Sequence, residues 1–533
     1  MSAHVDRFAA HALPPRAEWP DLLFTIAELQ FPAQINCASV LLDRHVAAGN
    51  GARRCILAPG VQWTYADLQR KANQIAHVLT RGMGVVPGNR VLLRGFNSPM
   101  LAACWFGVMK AGAIAVSTMP LYRTGELQAI RENVRVRHAL CDARLAGDLR
   151  QTTTGEELLL RCWGEGELEE LMDAQAAAFE NVHTARDDVA MIAFTSGTTG
   201  KPKAAAHFHR DILATCETYS RHVLQPAPDD LFAGSPPLAF TFGLGGLLLF
   251  PLHAGAATLL LEKASPEPLL QAIHEYGVSV IFTAPVAYRA MTDLVAKYDT
   301  TSLRRCVSAG ETLPKPVWER WHDATGLTIL DGIGSTEMLH IFIGSPQDRV
   351  RPGATGQAVP GYTAQIHDDD GREVAPGTIG RLAVKGPTGC RYLNDERQAA
   401  YVRGGWNYPG DTYRMDADGY FWYVARSDDM IIASGYNISG PEVEQALLAH
   451  ERIKECAVVA KPDPQRDTNI VKAYVVLNDG EPLTAEALQS FVRARIASFK
   501  CPREIEFVTE LPRTGTGKVQ RFRLREQAAS EQS

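Results

Sequence analysis

The run Thr195-Ser196-Gly197-Thr198-Thr199-Gly200-Lys201-Pro202-Lys203 follows an uncharged, β-prone stretch from Val189 to Phe194. A loop of this composition is suited to gripping phosphate. Gly197 and Gly200 free the backbone for tight curvature and close approach. The hydroxyls of Thr195, Ser196, Thr198 and Thr199 can donate to phosphoryl oxygens, and Lys201 and Lys203 bring charge to a polyanion. The spacing does not meet the Walker loop, which needs four residues between its glycines and then Lys followed by Ser or Thr. Here only Thr198 and Thr199 separate Gly197 from Gly200, and Pro202 stands where a magnesium-binding hydroxyl belongs. A kinase or GTPase loop is disfavoured.

Outward from that loop, short β-prone segments at Arg90 to Arg94, Ala113 to Ser117, Val278 to Thr283 and Arg304 to Ser308 alternate with helical patterns such as Tyr65 to Arg81 and Pro268 to Tyr276. This alternation predicts an α/β fold of doubly wound layers. From Gly353 the texture changes to short strands punctuated by Gly, Pro and Asp, including Gln365 to His367 and Arg381 to Lys385, which predicts a small β-rich subdomain. After Arg426 the polar run Ser427-Asp428-Asp429 leads to strands near Cys456 to Ala460 and Ala473 to Leu477. The boundary is expected there, giving a large domain over residues 1–426 and a smaller α+β domain over residues 427–533.

The chain has 533 residues, more than one core can organise. Its net charge of −6 argues against a general binder of nucleic acid or anionic membrane. The ten cysteines never form a CxxC pair, so they are expected to be buried small hydrophobes in a reducing, cytoplasmic setting. No export signal is visible at Met1 to Arg7. The stretch from Leu231 to Leu261 lacks Asp, Glu, Lys and Arg, but Pro236, Pro237 and Pro251 and five glycines break it, so it predicts a buried strand, loop and helix beneath a pocket rather than a membrane span.

Three further constellations carry chemistry. In Asp331-Gly332-Ile333-Gly334-Ser335-Thr336-Glu337 the glycines at a strand end let backbone approach a ligand, Thr336 can bond a phosphate and Glu337 can hold a hard cation. Read alone, a Gly-Ser-Thr turn with a solvated Glu is the default reading. Asp411, in Trp406-Asn407-Tyr408-Pro409-Gly410-Asp411, can accept bonds from vicinal ribose hydroxyls, and Arg426 can complement a phosphate. Near the C-terminus, Lys518 in Arg513-Thr514-Gly515-Thr516-Gly517-Lys518 is a lysine on a glycine-rich loop that can be delivered to a site and withdrawn. Arg521, Arg523 and Arg525 beyond it are expected to solvate the surface.

Taken in order and spacing, these runs resemble the adenylate-forming superfamily of acyl-CoA synthetases, peptide-synthetase adenylation domains and beetle luciferases. The resemblance covers essentially the whole chain, and the continuous run Gly332 to Phe342 is similar to the benzoate-CoA ligase branch, with opening residues similar to 2-aminobenzoate-CoA ligases. It implies that Thr195 to Lys201 and Lys203, with Asp331 and Gly332, bind ATP; that Thr336 meets the α-phosphate; and that Glu337 holds Mg²⁺. It also implies that Asp411 and Arg426 bind the nucleotide, that Lys518 is the catalytic lysine, and that Asp428 is a hinge about which the small domain rotates. The family commonly has Arg-Thr-Gly-Asp where this chain has Tyr408-Pro409-Gly410-Asp411, which keeps Asp411 but leaves its neighbours unassigned. Thr241, Phe242, Gly334, His340 and Ile341 are implied to line an aryl pocket, with Ser308, Ala309 and Gly310 near it.

The implied activity is ATP- and Mg²⁺-dependent conversion of benzoate or 2-aminobenzoate to its CoA thioester through an aryl-adenylate, with coenzyme A as cosubstrate. The expected partners are small molecules, with no nucleic acid or membrane, and a homodimer is possible. The rival readings are an adenylation enzyme that loads a carrier protein and a nucleotide sensor that has lost catalysis.

Overall fold

The computed structural model describes residues 1–195, 202–426, 429–433, 436–463, 468–478, 483–496, 498–514 and 517–531. Two large sheets dominate. One runs in the order Leu159–Trp163, His138–Asp142, Arg90–Arg94, Ile114–Thr118, Val189–Thr195 and Lys203–Phe208, parallel except for its last pair. The second carries Ile329–Gly334, Arg305–Ser308, Val280–Thr283, Leu231–Gly234, Ala257–Leu259 and Arg54–Ala58 as parallel neighbours, with antiparallel strands at both edges.

The predicted strands lie within a residue or two of the observed ones because parallel strands covered on both faces must be apolar throughout. Arg90–Arg94 is buried at every position, and Arg94 is tolerated there because its guanidinium donates to the carbonyls of Leu145, Met119, Pro120 and Tyr122. The helix Tyr65–His77 begins at a reciprocal cap in which Thr64 and Asp67 each accept the other's backbone N–H at 3.1 Å. The expected helix to Arg81 instead continues from Val78 to Gly82 as a wider π turn. Leu231 to Leu261 forms a strand, a helical segment from Thr241 to Ala254 and a short strand, nearly all of it buried. No helix among the described residues is long and apolar enough to cross a membrane.

The β-rich part is an antiparallel sheet of Thr363–His367, Ile379–Lys385, Asp411–Met415, Phe421–Arg426 and two short strands. The C-terminal part packs Gly440–Leu448 and Arg521–Ser530 on the long hairpin of Ile453–Asp463 and Thr468–Leu477. Here one expectation fails. Arg521 and Arg525 are not a solvated tail: Arg521 donates to both carboxylate oxygens of Glu444, at 2.9 and 2.8 Å, and Arg525 pairs with Asp429. They lie on the first turns of a helix, where such pairing anchors it. All ten cysteines are buried and free.

A buried ion pair ties the two ends of the site's scaffold. Arg391 and Asp211 are both fully enclosed at 2.7 Å, and Asp211 also accepts the Phe208 N–H that starts the next helix. Removing one partner strands the other without solvent. Arg391→Met is therefore expected to cost about 3 to 5 kcal/mol, measured as a lowered midpoint in denaturant unfolding.

Candidate active site

The two ends of the phosphate-gripping run, Thr195 and Lys203, pair with each other at the ends of the antiparallel strands Val189–Thr195 and Lys203–Phe208. Ser196, Gly197, Thr198, Thr199, Gly200 and Lys201 lie outside the described residues. Lys203 leaves the hairpin toward Tyr392: its Nζ donates to the phenol oxygen at 3.2 Å and lies 5.0 Å from the ring centre.

Asp331 and Gly332 lie within the strand Ile329–Gly334 and Gly334 ends it, with Gly332 to Gly334 pairing antiparallel with Ile341–Gly344. A Cβ at Gly334 would fall 2.6 Å from the His340 carbonyl oxygen, so the close crossing requires glycine. The four residues that follow are each held from outside. Ser335 Oγ bonds the Tyr401 hydroxyl at 3.0 Å, and the Thr336 carbonyl accepts from His207 Nε2 at 2.8 Å. Glu337 accepts from the Tyr392 hydroxyl, and the Met338 carbonyl accepts from Thr388 Oγ1 at 2.7 Å. Glu337 is buried, not the solvated turn residue that a lone motif suggests. His207 is enclosed and pushed down to about 4 by burial, so it stays neutral and serves as a fixed donor. Leu339 then adopts φ 71°, a left-handed conformation costly for a bulky side chain, and turns the chain inward at His340.

A row of polar groups stands at the carboxyl ends of the parallel strands, where open α/β sheets bind ligands. Register aligns Thr283 with Ser308 and Ser308 with Asp331. Ser308 Oγ and Asp331 Oδ1 are enclosed without a hydrogen-bond partner among the described residues. Asp331 keeps some solvent contact, but desolvation of its carboxyl raises its pKa to about 8 against the opposing Gly332 N–H. Ala309 is buried, and Gly310 at φ 94° leaves open space beside it.

The predicted aryl-pocket residues converge on His340. Its ring meets Phe250 edge-on at 4.5 Å, Tyr219 at 5.4 Å and Phe242 at 5.8 Å. Gly245 permits this packing, since a Cβ there would lie 2.3 Å from the imidazole. Among the described residues neither His340 nitrogen has a closed hydrogen bond, although the Phe242 backbone approaches; burial lowers its pKa to about 3, so the ring is neutral. The Tyr219 hydroxyl is likewise enclosed and unpartnered. Thr241 begins the helical turn beside Phe242, and Ile341 packs against Gly332.

Asp411 and Arg426 face each other across paired strands, with Nη1 to Oδ2 at 3.4 Å. Lys518 sits in a tight turn whose backbone closes on Thr514, with Gly517 at φ 86°. The same turn carries Arg513, which lies 3.9 Å from Glu311 and pairs with Glu455. Glu311 follows Gly310 at the rim of the polar row. Burial raises its pKa, while the charges of Arg513, Arg521 and Lys518 oppose that rise. The structure thus turns the Lys518 loop toward this rim. Asp428 lies outside the described residues.

Residues 43–392 match the AMP-binding enzyme family and residues 442–518 match the C-terminal domain of AMP-binding enzymes. The chain belongs to that family. Among its relatives is the benzoate–CoA ligase of Thauera aromatica, 34% identical over 93% of this chain and 97% of that protein. The 3-hydroxybenzoate–CoA/4-hydroxybenzoate–CoA ligase of Thauera aromatica is 32% identical over 94% and 98%. The crystal structure of the anthranilate CoA ligase AuaEII in complex with anthranoyl-AMP superposes with a TM-score of 0.90, at 33% identity, over 95% of this chain and all of that one. The benzoate CoA ligase from Burkholderia xenovorans LB400 gives 0.85 at 32% identity, over 92% of this chain and all of that one. This AMP-binding enzyme is an AMP-forming acid–thiol ligase of the benzoate-CoA ligase branch.

The segment 388–401 and His207 escaped the sequence reading. Their only signals were charged and aromatic residues, Arg391, Tyr392 and Tyr401, in an otherwise unremarked loop, and a histidine in an alanine-rich strand.

The carboxyl of Asp331 yields a pH prediction. An unfolded Asp loses its proton near pH 3.9, whereas the folded one keeps it to about 8. Between these values the folded state binds more protons, so stability falls as pH rises through this window and is level above it. Asp331→Asn is expected to leave the thermal midpoint unchanged at pH 4 and to raise stability at pH 8 by at least about 1 kcal/mol, read by calorimetry at both pH values.

Proposed function

We propose that this enzyme is an aryl-CoA ligase whose preferred acid is 2-aminobenzoate, converted through an aryl-adenylate to its CoA thioester with release of AMP and pyrophosphate. The observation that carries the choice of acid is His340: a neutral, enclosed imidazole with an unused acceptor nitrogen, in an aromatic wall suited to a flat ring. An ortho amino group is a donor that needs such an acceptor once out of water, and an unmet donor costs about 1 to 3 kcal/mol. The likeness to an anthranilate CoA ligase supports the same reading.

ATP binding is assigned to the hairpin tip from Thr195 to Lys203, to Thr336 for the α-phosphate, to Asp411 and Arg426 for the ribose side, and to the rim around Asp331 and Gly332. A divalent cation fits Glu337. Among the described residues there is no cluster of three or more His, Cys, Asp or Glu, and magnesium is commonly held by one or two carboxylates plus substrate phosphates. Bound there, it would neutralise phosphate charge. The acid's carboxylate must approach that phosphate, and two anions about 3 to 4 Å apart repel by several kcal/mol at intermediate dielectric. Lys518, delivered on its turn, offsets the repulsion. Residues 427–533 would then swing about Asp428 to admit CoA to the adenylate.

Two measurements test this. For the acid, kcat/KM for 2-aminobenzoate should exceed that for benzoate, and His340→Ala or Thr241→Ala should shrink the ratio by about 5- to 100-fold. A wild type that favours benzoate removes the 2-aminobenzoate assignment. For the lysine, Lys518→Ala should lower adenylate formation by about 10²- to 10³-fold, while thioester formation from preformed aryl-adenylate falls far less. Equal loss in both half-reactions contradicts a two-position C-terminal domain.

A further inference from the structure

We propose that Tyr392 is a positioning residue for Glu337, holding that carboxylate aimed for its cation and linking it to Lys203. The inference rests on the assignment of Glu337 as the cation-holding group. Tyr392 is fully enclosed, and its phenol joins the two nucleotide motifs directly: the hydroxyl donates to Glu337 Oε1 and its oxygen accepts from Lys203 Nζ at 3.2 Å. The direction of this chain is fixed by chemistry. An ammonium can only donate, a carboxylate only accepts, and the phenol between them must do both.

The phenol is itself anchored. Its backbone N–H donates to Gln398 Oε1 at 3.0 Å, its neighbour Arg391 is locked to Asp211, and its ring meets Tyr401, which holds Ser335. Because Glu337 can only accept and Lys203 can only donate, the phenol O–H is directed at the carboxylate. One carboxylate oxygen is thereby committed to Tyr392, which fixes the rotation of the group. Without the hydroxyl, buried Glu337 loses this donor and the partly buried Lys203 loses this acceptor, and the two are free to pair with one another. Such a pair would turn Glu337 away from a cation and Lys203 away from phosphate.

The test compares Tyr392→Phe, Glu337→Gln and the double variant, each checked first for wild-type melting. Mn²⁺ binding in the presence of ATP is followed by electron paramagnetic resonance, and KM for the metal–ATP complex and kcat by acid-dependent pyrophosphate exchange. Tyr392→Phe should weaken Mn²⁺ binding and raise KM by about 10-fold or more, as for a lost bond to a charged group, with kcat at saturation changed less. The double variant should be no worse than Glu337→Gln alone, because both changes act through one carboxylate. If Tyr392→Phe melts below wild type, Lys203→Met in the protein that keeps Tyr392 serves as the second probe and should raise the Mn²⁺ dissociation constant, and an unchanged constant overturns the link to Lys203. Normal metal binding in Tyr392→Phe with a defective Glu337→Gln, or fully additive losses, overturns the positioning role alone. Normal metal binding in Glu337→Gln overturns the cation assignment and the proposal with it.

Discussion

Glu337 is a carboxylate taken out of water, and an ionised carboxylate without donors is among the most costly groups to bury. The surrounding structure answers that cost. Tyr392 supplies the donor, Lys203 stands behind the phenol, and the enclosed Arg391–Asp211 pair fixes the strand segment from which Tyr392 projects. Asp211 in turn starts the helix that follows the phosphate hairpin. The hairpin, the Glu337 turn and the 388–401 segment are therefore one mechanical unit, although they are distant in sequence.

The same unit explains how an unfavourable backbone persists. Leu339 at φ 71° stores of order 1 to 3 kcal/mol, and would relax unless its flanks were over-determined. They are: the carbonyls of Thr336 and Met338 are both held by side chains, and Gly334 lets the returning strand cross close by. The effect is to aim Glu337 toward the phosphate hairpin and His340 into the aromatic wall within a single turn. On the proposed assignment, the cation-holding and acid-selecting groups are near neighbours on one strained loop, which would couple them structurally.

Much of the fold was legible because it follows from period and composition. Continuous apolar strands such as Arg90–Arg94 and Val280–Thr283 read as buried parallel strands, and the proline- and glycine-broken stretch from Leu231 folds as the expected buried strand and helical segment rather than one long helix. Helix ends were less legible, since a π turn after His77 leaves no mark on apolar spacing. The motif residues Glu337, Asp411 and Lys518 could be named from their order along the chain. Their supports could not. His207, Tyr392, Tyr401 and Thr388 matter through contacts made across 50 to 189 positions of sequence, and no local pattern encodes such a distance. The C-terminal arginines were misjudged for the same reason: Glu444 and Asp429, their partners, lie 77 and 96 positions away.

Electrostatics at the rim connect the C-terminal part to the rest. Glu311 lies half-buried next to open space at Gly310, and desolvation pushes its carboxyl up while Arg513, Arg521 and Lys518 pull it down. Arg521 is committed to Glu444 and Arg513 to Glu455, so much of their charge is already balanced within the C-terminal part. Among the described residues Lys518 is bonded through its backbone to Thr514 and has no comparable carboxylate partner. A mobile charge is useful to an acylating site only if it is not already neutralised by its own domain. The turn meets this condition by pairing the arginines around Lys518 and presenting the lysine, which suits it to meet a phosphate or carboxylate that arrives with substrate.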